Sequence, residues 1–265
     1  FKSKYKINIK NNQNNSSNFS IFQKKISNNE FFLNITIKHA NQIGYSGENL
    51  EKIKNLINEI KVLKKINFEK ILGFYIIGHT RWASVGKVDL SNCHPLIDGQ
   101  KNDSSLFYMN GDITNLNSIT KKLKKKKFFY LRDKNCKNDL SPLPSLLYKN
   151  KTIKLNDLSG SFVIFYHHTK KPENLIVLKK GSQGLYLSKD NDDDLILSSD
   201  VYGIVNSNNF FKRLTNIKYL KFKPFKDSKI KFLKKNMHQT VLSTRDLDKK
   251  NFSRFFTKEI NDTQT

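Results

Sequence analysis

Hydrophobic residues recur at every third or fourth position in the stretch that follows Ser46. The series comprises Leu50, Ile53, Leu56, Ile57, Ile60, Leu63 and Ile66. Because this spacing puts apolar side chains on one face of a helix, it predicts an amphipathic helix. Ser46 suits the N-cap position, and Glu48 would lie in the first turn, where a carboxylate interacts favourably with the helix dipole.

Short runs of β-branched and aromatic residues elsewhere in the chain predict strands. These runs lie at 31–40, 71–83, 105–113, 160–168, 174–181 and 194–205, and two further helices are expected at 115–127 and 142–149. Helices at the front and middle with consecutive strands later are typical of an α+β protein. Several runs are apolar on both faces, so we expect sheets that are covered on both sides.

The polar and charged residues narrow the choice of function class only slightly. Residues 11–18 form an Asn/Ser tract that predicts a solvated loop. The formal net charge is +25, from 48 Lys+Arg against 23 Asp+Glu. A basic chain of this kind is a candidate nucleic-acid binder, with Lys121 to Lys127 as the densest run. However, the lysines are scattered and accompany abundant Asn, Ile and Phe. This pattern favours a general composition bias over a nucleic-acid partner.

The cysteine pattern excludes two classes of small scaffold. Cys93 and Cys136 form no CxxC pair, so the sequence predicts neither a zinc site rich in cysteine nor a disulfide framework. We expect no metal and no cofactor. No apolar run approaches 18 residues and no signal peptide is visible, so we expect a cytoplasmic protein without a membrane partner.

Arg81 directly follows an apolar run and is the first candidate for ligand binding. An Arg at a strand end is suited to bidentate capture of a carboxylate, Ser84 can add a hydroxyl donor, and Trp82 can wall the pocket. The competing interpretation is an Arg paired with a structural acid and a Trp that fills a core.

Asn110 and Gly111 form the second candidate site. An Asn-Gly pair after an apolar run favours a hairpin turn. Alternatively, the Asn amide and the Gly backbone N–H are two neighbouring neutral donors, which is what an oxyanion hole for acyl transfer requires.

Asp139 stands two residues ahead of a Ser-Pro pair and is the third candidate. It suits a helix-capping role, or a carboxylate that accepts hydrogen bonds from a substrate ammonium. An amino acid with an amide side chain would use all three groups: Arg81 for the carboxylate, Asp139 for the ammonium, and the Asn110–Gly111 pair for the side-chain carbonyl.

Four blocks of this sequence together resemble the class II glutamine amidotransferase domain. They are "GHTRWASVG…NCHPL", "NGDITN", "NDLSPLP" and "LSGSFVIFY". The likeness is greatest to the glucosamine-6-phosphate synthase branch (glutamine–fructose-6-phosphate aminotransferase). The tail "KNFSRFFTKEI" is similar to the segment that joins this domain to phosphosugar isomerase domains. The resemblance covers about residues 71–260.

The resemblance implies an N-terminal nucleophile hydrolase fold, a four-layer α/β/β/α sandwich with two stacked antiparallel sheets. It implies an amidotransferase domain over 1–245, with 1–45 poorly matched, and a linker from 246–265 towards isomerase domains. The implied reaction is hydrolysis of glutamine to glutamate and ammonia, with transfer to fructose 6-phosphate to give glucosamine 6-phosphate. Arg81, Trp82, Ser84 and Asp139 would bind glutamine, and Asn110 with Gly111 would form the oxyanion hole.

The sequence departs from that family at its nucleophile. The family uses a cysteine at the mature N-terminus, whose α-amine is the base, whereas residue 1 here is Phe and both cysteines are internal. We therefore expect a fragment, with the cysteine on a short preceding segment. The alternative is a catalytically dead module that binds glutamine. Val85 also replaces a histidine of the synthase branch, which leaves the subfamily open.

Overall fold

The computed structural model of the chain describes residues 17–25, 31–41, 48–61, 63–67, 69, 71, 73–81, 88–100, 103–125, 143, 157–169, 171, 174–189, 194–204, 210–215, 220–222, 238–239 and 257. The chain divides into two compact units. The first comprises Phe1–Gly181 with Ile217–Asp227, and the second comprises Ser182–Asn216 with Ser228–Thr265. The predicted boundary between an amidotransferase domain and a linker at 245/246 stays a prediction.

The helices and strands of the described residues follow one another in chain order. They are β1 (Ser17–Lys25), β2 (Phe31–His39), α1 (Glu48–Glu59), β3 (Leu96–Gln100), β4 (Asp103–Ile113), α2 (Leu116–Lys125), β5 (Gly160–His168), β6 (Leu175–Lys180), β7 (Tyr186–Lys189), β8 (Leu195–Ser198), β9 (Phe210–Arg213), β10 (Leu220–Phe222) and β11 (His238–Gln239). Short 3₁₀ turns follow at Leu63–Lys65 and Val201–Gly203.

The first unit contains a five-stranded antiparallel sheet in the order β10-β6-β5-β4-β3. The central pair runs in register from Ser105↔His168 to Ile113↔Gly160. One face of this sheet packs on α2, through Leu116 and Ile119. The core formed there also contains Leu96, Phe107, Met109, Ile113, Leu143, Leu158, Phe162, Ile164, Tyr166 and Leu178. Burial of these apolar side chains is the main stabilising contribution to this unit.

The opposite face of the sheet carries the even-numbered side chains of β4 and the odd-numbered ones of β5. The ring of His167 on this face lies 5.3 Å from the Phe32 ring of β2 with the planes tilted by 40°, and its Nδ1 lies 3.0 Å from the hydroxyl oxygen of Tyr75. The segment 73–81 therefore lies on this face of the sheet, together with the hairpin of β1 and β2.

The second unit contains a four-stranded antiparallel sheet in the order β11-β9-β7-β8. Ser188 of β7 is fully buried, and its hydroxyl donates to the carbonyl of Phe210 in β9 at 2.7 Å. Asp200 accepts from the Tyr202 N–H at 3.1 Å and caps the 3₁₀ turn that follows β8.

The α+β class predicted from the sequence is confirmed, and the two larger sheets are antiparallel, as the family resemblance implies. Strands 105–113, 160–168 and 174–181 match β4, β5 and β6 closely, and the helix at 115–127 is found as α2. No helix in the described part of the chain combines the length and the apolarity that a membrane span needs.

Several elements differ from their predictions. The first helix ends at Glu59 and its periodic residues continue into a 3₁₀ turn. Residues 73–81 are extended but are not part of a strand among the described residues, and the run at 194–205 is a strand only over Leu195–Ser198. The predicted loop at 11–18 overlaps β1 by two residues, which pair with β2. Ser46 and most of the helix predicted at 142–149 lie outside the described residues.

Candidate active site

The edge of β4 changes its partner just before the Asn-Gly pair. Strands β3 and β4 pair from Gln100↔Asp103 to Leu96↔Phe107. Two residues further, the same register would bring His94 opposite Met109. Pro95 has no N–H to donate, and β3 does not continue past Leu96. Backbone groups of β4 beyond Phe107 therefore need partners other than the β3 ladder.

Two histidine side chains take the place of that ladder at Met109. The Met109 N–H donates to Nδ1 of His94 at 3.1 Å. The Met109 carbonyl lies 3.0 Å from Nε2 of His79 and can only accept, so His79 donates from Nε2. The two imidazole rings stack with centroids 4.1 Å apart and planes 25° apart. We call His79 and His94, bound in this way to Met109, the imidazole clamp.

Both histidines of the imidazole clamp are held in the neutral form. Burial lowers the pKa of His94 to about 2, with smaller contributions from the charges of His79, Lys38 and Arg81. Burial also lowers the pKa of His79, the Met109 carbonyl opposes this shift, and Arg81 adds to it. A neutral His94 that accepts at Nδ1 carries its proton on Nε2, so the two rings have defined tautomers.

Asn110 and Gly111 follow Met109 inside β4 and do not form the hairpin turn that the dipeptide favours. Asn110 is exposed, whereas Tyr108 on the same face is buried deeply enough to raise its pKa. The face therefore opens at Asn110. Gly111 has φ +107°, and a Cβ there would lie 2.2 Å from the Ser161 carbonyl oxygen. Only glycine fits this close approach between β4 and β5.

The segment 73–81 advances in the same direction as β4. Tyr75 contacts His167, whose register partner in β4 is Leu106, and His79 contacts Met109 four residues later. Odd-numbered residues of the segment are half-buried and even-numbered ones exposed, as in an extended chain. Arg81, two residues or about 7 Å further on, is thereby brought level with Asn110 and Gly111.

The charge of Arg81 acts on three neighbouring groups, which locates it at the same end of β4. It lowers the pKa values of His79 and His94 and opposes the rise in the pKa of Cys93. Arg81 is half-buried. A guanidinium can bind a carboxylate with two parallel hydrogen bonds.

Cys93 is tied to the end of β2. Lys38 donates from Nζ to the Cys93 carbonyl at 2.9 Å, and the Cys93 thiol lies 3.7 Å from the His39 carbonyl. Burial raises the pKa of Cys93, with Lys38 and Arg81 opposing the shift. These contacts hold the loop that carries His94 against the hairpin of β1 and β2. The sequence alone assigned Cys93 no such role.

Asn115 fixes the other end of the Asn-Gly segment. Its Nδ2 donates to the Asp157 carbonyl at 2.6 Å, and its Oδ1 accepts from the Ser159 N–H at 2.9 Å. The Thr114 N–H adds a bond to the Ser159 carbonyl at 2.9 Å. The start of α2 is therefore anchored to the residues that lead into β5.

Arg81 lies close enough to His79 and His94 for its charge to act on both, and these two histidines bind Met109, which Asn110 and Gly111 follow in β4. Trp82, Ser84 and Asp139, the other predicted site residues, lie outside the described residues, as do Val85 and Cys136. Sequence reasoning assigned no role to His79, His94 or Asn115. Each is present in a quoted motif block, but only the strand register reveals what it binds.

The chain is similar in sequence to glutamine–fructose-6-phosphate aminotransferases [isomerizing]. The enzyme of Buchnera aphidicola is 28% identical, with 69% of this chain and 31% of the relative covered. That of Helicobacter pylori is 27% identical, with 79% and 34% covered. The chain thus spans about a third of the length of these relatives. No protein-family model matches it. The resemblance drawn from the motif blocks is confirmed by these relatives.

Among solved structures, the chain resembles the glutamine phosphoribosylpyrophosphate amidotransferase of B. subtilis. The TM-score is 0.43 at 13% sequence identity, and the match covers 78% of this chain and 43% of that chain.

Proposed function

We propose that this chain is the glutamine-hydrolysing part of an amidotransferase that delivers ammonia to fructose 6-phosphate and so forms glucosamine 6-phosphate. The proposal is supported by the position of Arg81 beside His79 and His94, the two histidines that bind Met109 directly before Asn110 and Gly111. A cation that can hold a carboxylate and a pair of neutral donors at the exposed end of a strand suit the two polar ends of glutamine.

In the proposed reaction Arg81 binds the α-carboxylate and sets the position of the side-chain amide. A cysteine thiolate attacks the amide carbon, and the carbonyl oxygen gains the negative charge. The Asn110 side-chain amide and the Gly111 N–H stabilise that oxyanion. The α-amine of that cysteine takes the thiol proton and passes it to the amide nitrogen, so that collapse of the tetrahedral intermediate expels ammonia and leaves a thioester; water then hydrolyses the thioester to glutamate and the free thiol.

The remaining predicted site residues keep their proposed roles on the motif resemblance alone. Ser84 would donate to the same carboxylate as Arg81, Trp82 would wall the pocket, and Asp139 would accept from the substrate ammonium. Phosphosugar isomerase domains, which the resemblance places after this domain, would receive the ammonia. The sequence relatives support this arrangement because they are about three times as long as the region they share with this chain.

Cys93 is not suited to be the nucleophile. Burial raises its pKa, and the thiolate is the nucleophilic form, so only a small fraction is reactive near neutral pH. Its amine is also part of a peptide bond and cannot act as a base. The proposed nucleophile is therefore a cysteine other than Cys93.

The test is to assay the full-length protein for glutamate and ammonia release from glutamine, with and without fructose 6-phosphate. An electrophilic glutamine analogue should label one cysteine, which mass spectrometry locates. We expect labelling outside Cys93 and Cys136 and formation of glucosamine 6-phosphate.

Each other outcome of this assay is decisive for a different part of the proposal. Glutamine binding by calorimetry without ammonia release or labelling would indicate a catalytically dead module. Ammonia release without an aminosugar product would keep the glutaminase and refute the acceptor.

A further inference from the structure

We propose that the imidazole clamp is a positioning device, which replaces the β3–β4 ladder at Met109 and fixes the peptide that leads into the Asn110–Gly111 oxyanion donors. The catalytic consequence rests on the glutaminase function proposed above. The structural role of the clamp stands independently of that function.

Met109 is anchored through both of its backbone groups. Its N–H is bound by His94 and its carbonyl by His79, while its side chain is buried in the core and its strand pairs with β5 opposite Ile164. Two side chains from different segments thus bind both backbone groups of one residue. Residue 109 therefore has little freedom to rotate.

The anchored residue, Met109, adjoins the proposed oxyanion donors in β4. Asn110 follows Met109 directly, and backbone groups alternate between the two edges of a strand. Had β3 continued, its backbone would have occupied the edge beside residues 109–111. Because the ladder ends at Phe107 and two side chains bind residue 109 instead, no described strand occupies the next position on this edge, at Gly111, and we assign that position to a ligand.

The imidazole rings of His79 and His94 restrain each other. Stacking at 4.1 Å restricts the rotation of each imidazole, and both rings are substantially buried. Nδ1 of His79 is buried and has no hydrogen-bond partner within the described part of the chain. The His79 ring is thus held by the hydrogen bond from its Nε2 and by stacking on His94. We therefore assign it the role of donating to the Met109 carbonyl.

Asparagine and glutamine variants test this geometry because they mimic different ring atoms. The side-chain amide of Asn overlays the Nδ1 position of histidine, and that of Gln overlays Nε2. His94 uses Nδ1, so His94→Asn should retain the bond and His94→Gln should lose it. His79 uses Nε2, so His79→Gln should retain the bond and His79→Asn should lose it.

The experiment measures kcat and KM for glutamine hydrolysis in the full-length protein carrying each of the four variants. We expect His94→Gln and His79→Asn to lower kcat about 10²-fold, as loss of one oxyanion donor does, with KM within about threefold of wild type. His94→Asn and His79→Gln should recover most of that loss. His168→Asn, on β5 outside the clamp, is the control for loss of a histidine.

Hydrogen exchange provides a readout that does not depend on catalysis. Exchange of the amides in residues 107–111, followed by mass spectrometry, should accelerate at least tenfold in His94→Gln relative to His94→Asn. If the wild-type protein fails to hydrolyse glutamine, the proposed function fails, and exchange still decides the role of the clamp. The same order of Asn and Gln at both positions, or unchanged exchange in His94→Gln, would overturn the positioning role.

Discussion

Acidification should destabilise this protein through His94, because the folded chain keeps that side chain neutral. His94 is 8% exposed, and burial together with the charges of His79, Lys38 and Arg81 lowers its pKa from 6.5 to about 2. Below pH 6.5 the unfolded chain binds a proton at His94, whereas the folded chain does not bind it until the pH is near 2. Stability is therefore fully present above pH 6.5 and is lost as the pH falls between 6.5 and about 2.

The size of the effect follows from the width of that window. Each pH unit below 6.5 costs about 1.4 kcal/mol of unfolding free energy for one proton taken up only by the unfolded state. At pH 5.0 His94 lowers the free energy of unfolding by about 2 kcal/mol, whereas at pH 7.5 its effect is close to zero. His79 acts in the same direction, since its pKa is also lowered.

The assay is urea unfolding of wild type and His94→Asn at pH 7.5 and pH 5.0 at constant ionic strength. Asparagine keeps an acceptor for the Met109 N–H but does not titrate. Contributions from all other titrating groups are common to the two proteins, so the difference between the two pH dependences isolates His94. The variant should lose about 2 kcal/mol less than wild type over this interval.

One result would refute the reasoning. If wild type and His94→Asn lose equal stability between pH 7.5 and pH 5.0, then the folded state protonates His94 as readily as the unfolded state. The buried, neutral imidazole clamp would then be wrong, whatever the activity of the variants.

Two further predictions concern the site itself. Gly111→Ala should cost at least about 2 kcal/mol of unfolding free energy, because its Cβ would meet the Ser161 carbonyl oxygen at 2.2 Å; Gly78→Ala, with no atom within 4 Å, should change it by less than about 0.5 kcal/mol. Equal effects in denaturant unfolding would contradict the close approach. Arg81→Ala should raise KM for glutamine about 10²-fold through loss of two charge-assisted hydrogen bonds, with kcat changed only a few-fold. A steady-state assay in which kcat falls at constant KM would count against carboxylate binding.

The central strands were predictable because their own residues determine them. Runs such as 160–168 are continuous stretches of β-branched and aromatic residues bounded by Gly or polar residues, and the structure pairs them as expected. The segment 73–81 has the same composition but is not part of a strand among the described residues, and Phe74 and Ile76 are 66% and 85% exposed. The residue pattern identifies an extended chain, but whether that chain joins a sheet depends on which segment lies beside it.

The Asn-Gly pair shows how tertiary pairing overrides a local preference. Its turn propensity is high, yet β5 continues alongside and keeps both residues in the ladder. Of the candidate site, Arg81, Asn110 and Gly111 were recognisable by residue type and motif. The partners of His79 and His94 were not, because a histidine in an apolar block has many possible partners and only the register of β3 against β4 selects Met109.

The same cation that would hold the substrate carboxylate also acts on the imidazole clamp. Arg81 lowers the pKa values of His79 and His94, and a bound carboxylate would partly offset its charge. That change favours protonation of both rings, which would deprive the Met109 N–H of its acceptor. Burial is the larger cause at each histidine, however, so it keeps the rings neutral when the charge of Arg81 is compensated. In the proposed reaction the anchoring of Asn110 and Gly111 therefore does not depend on whether the carboxylate site is filled.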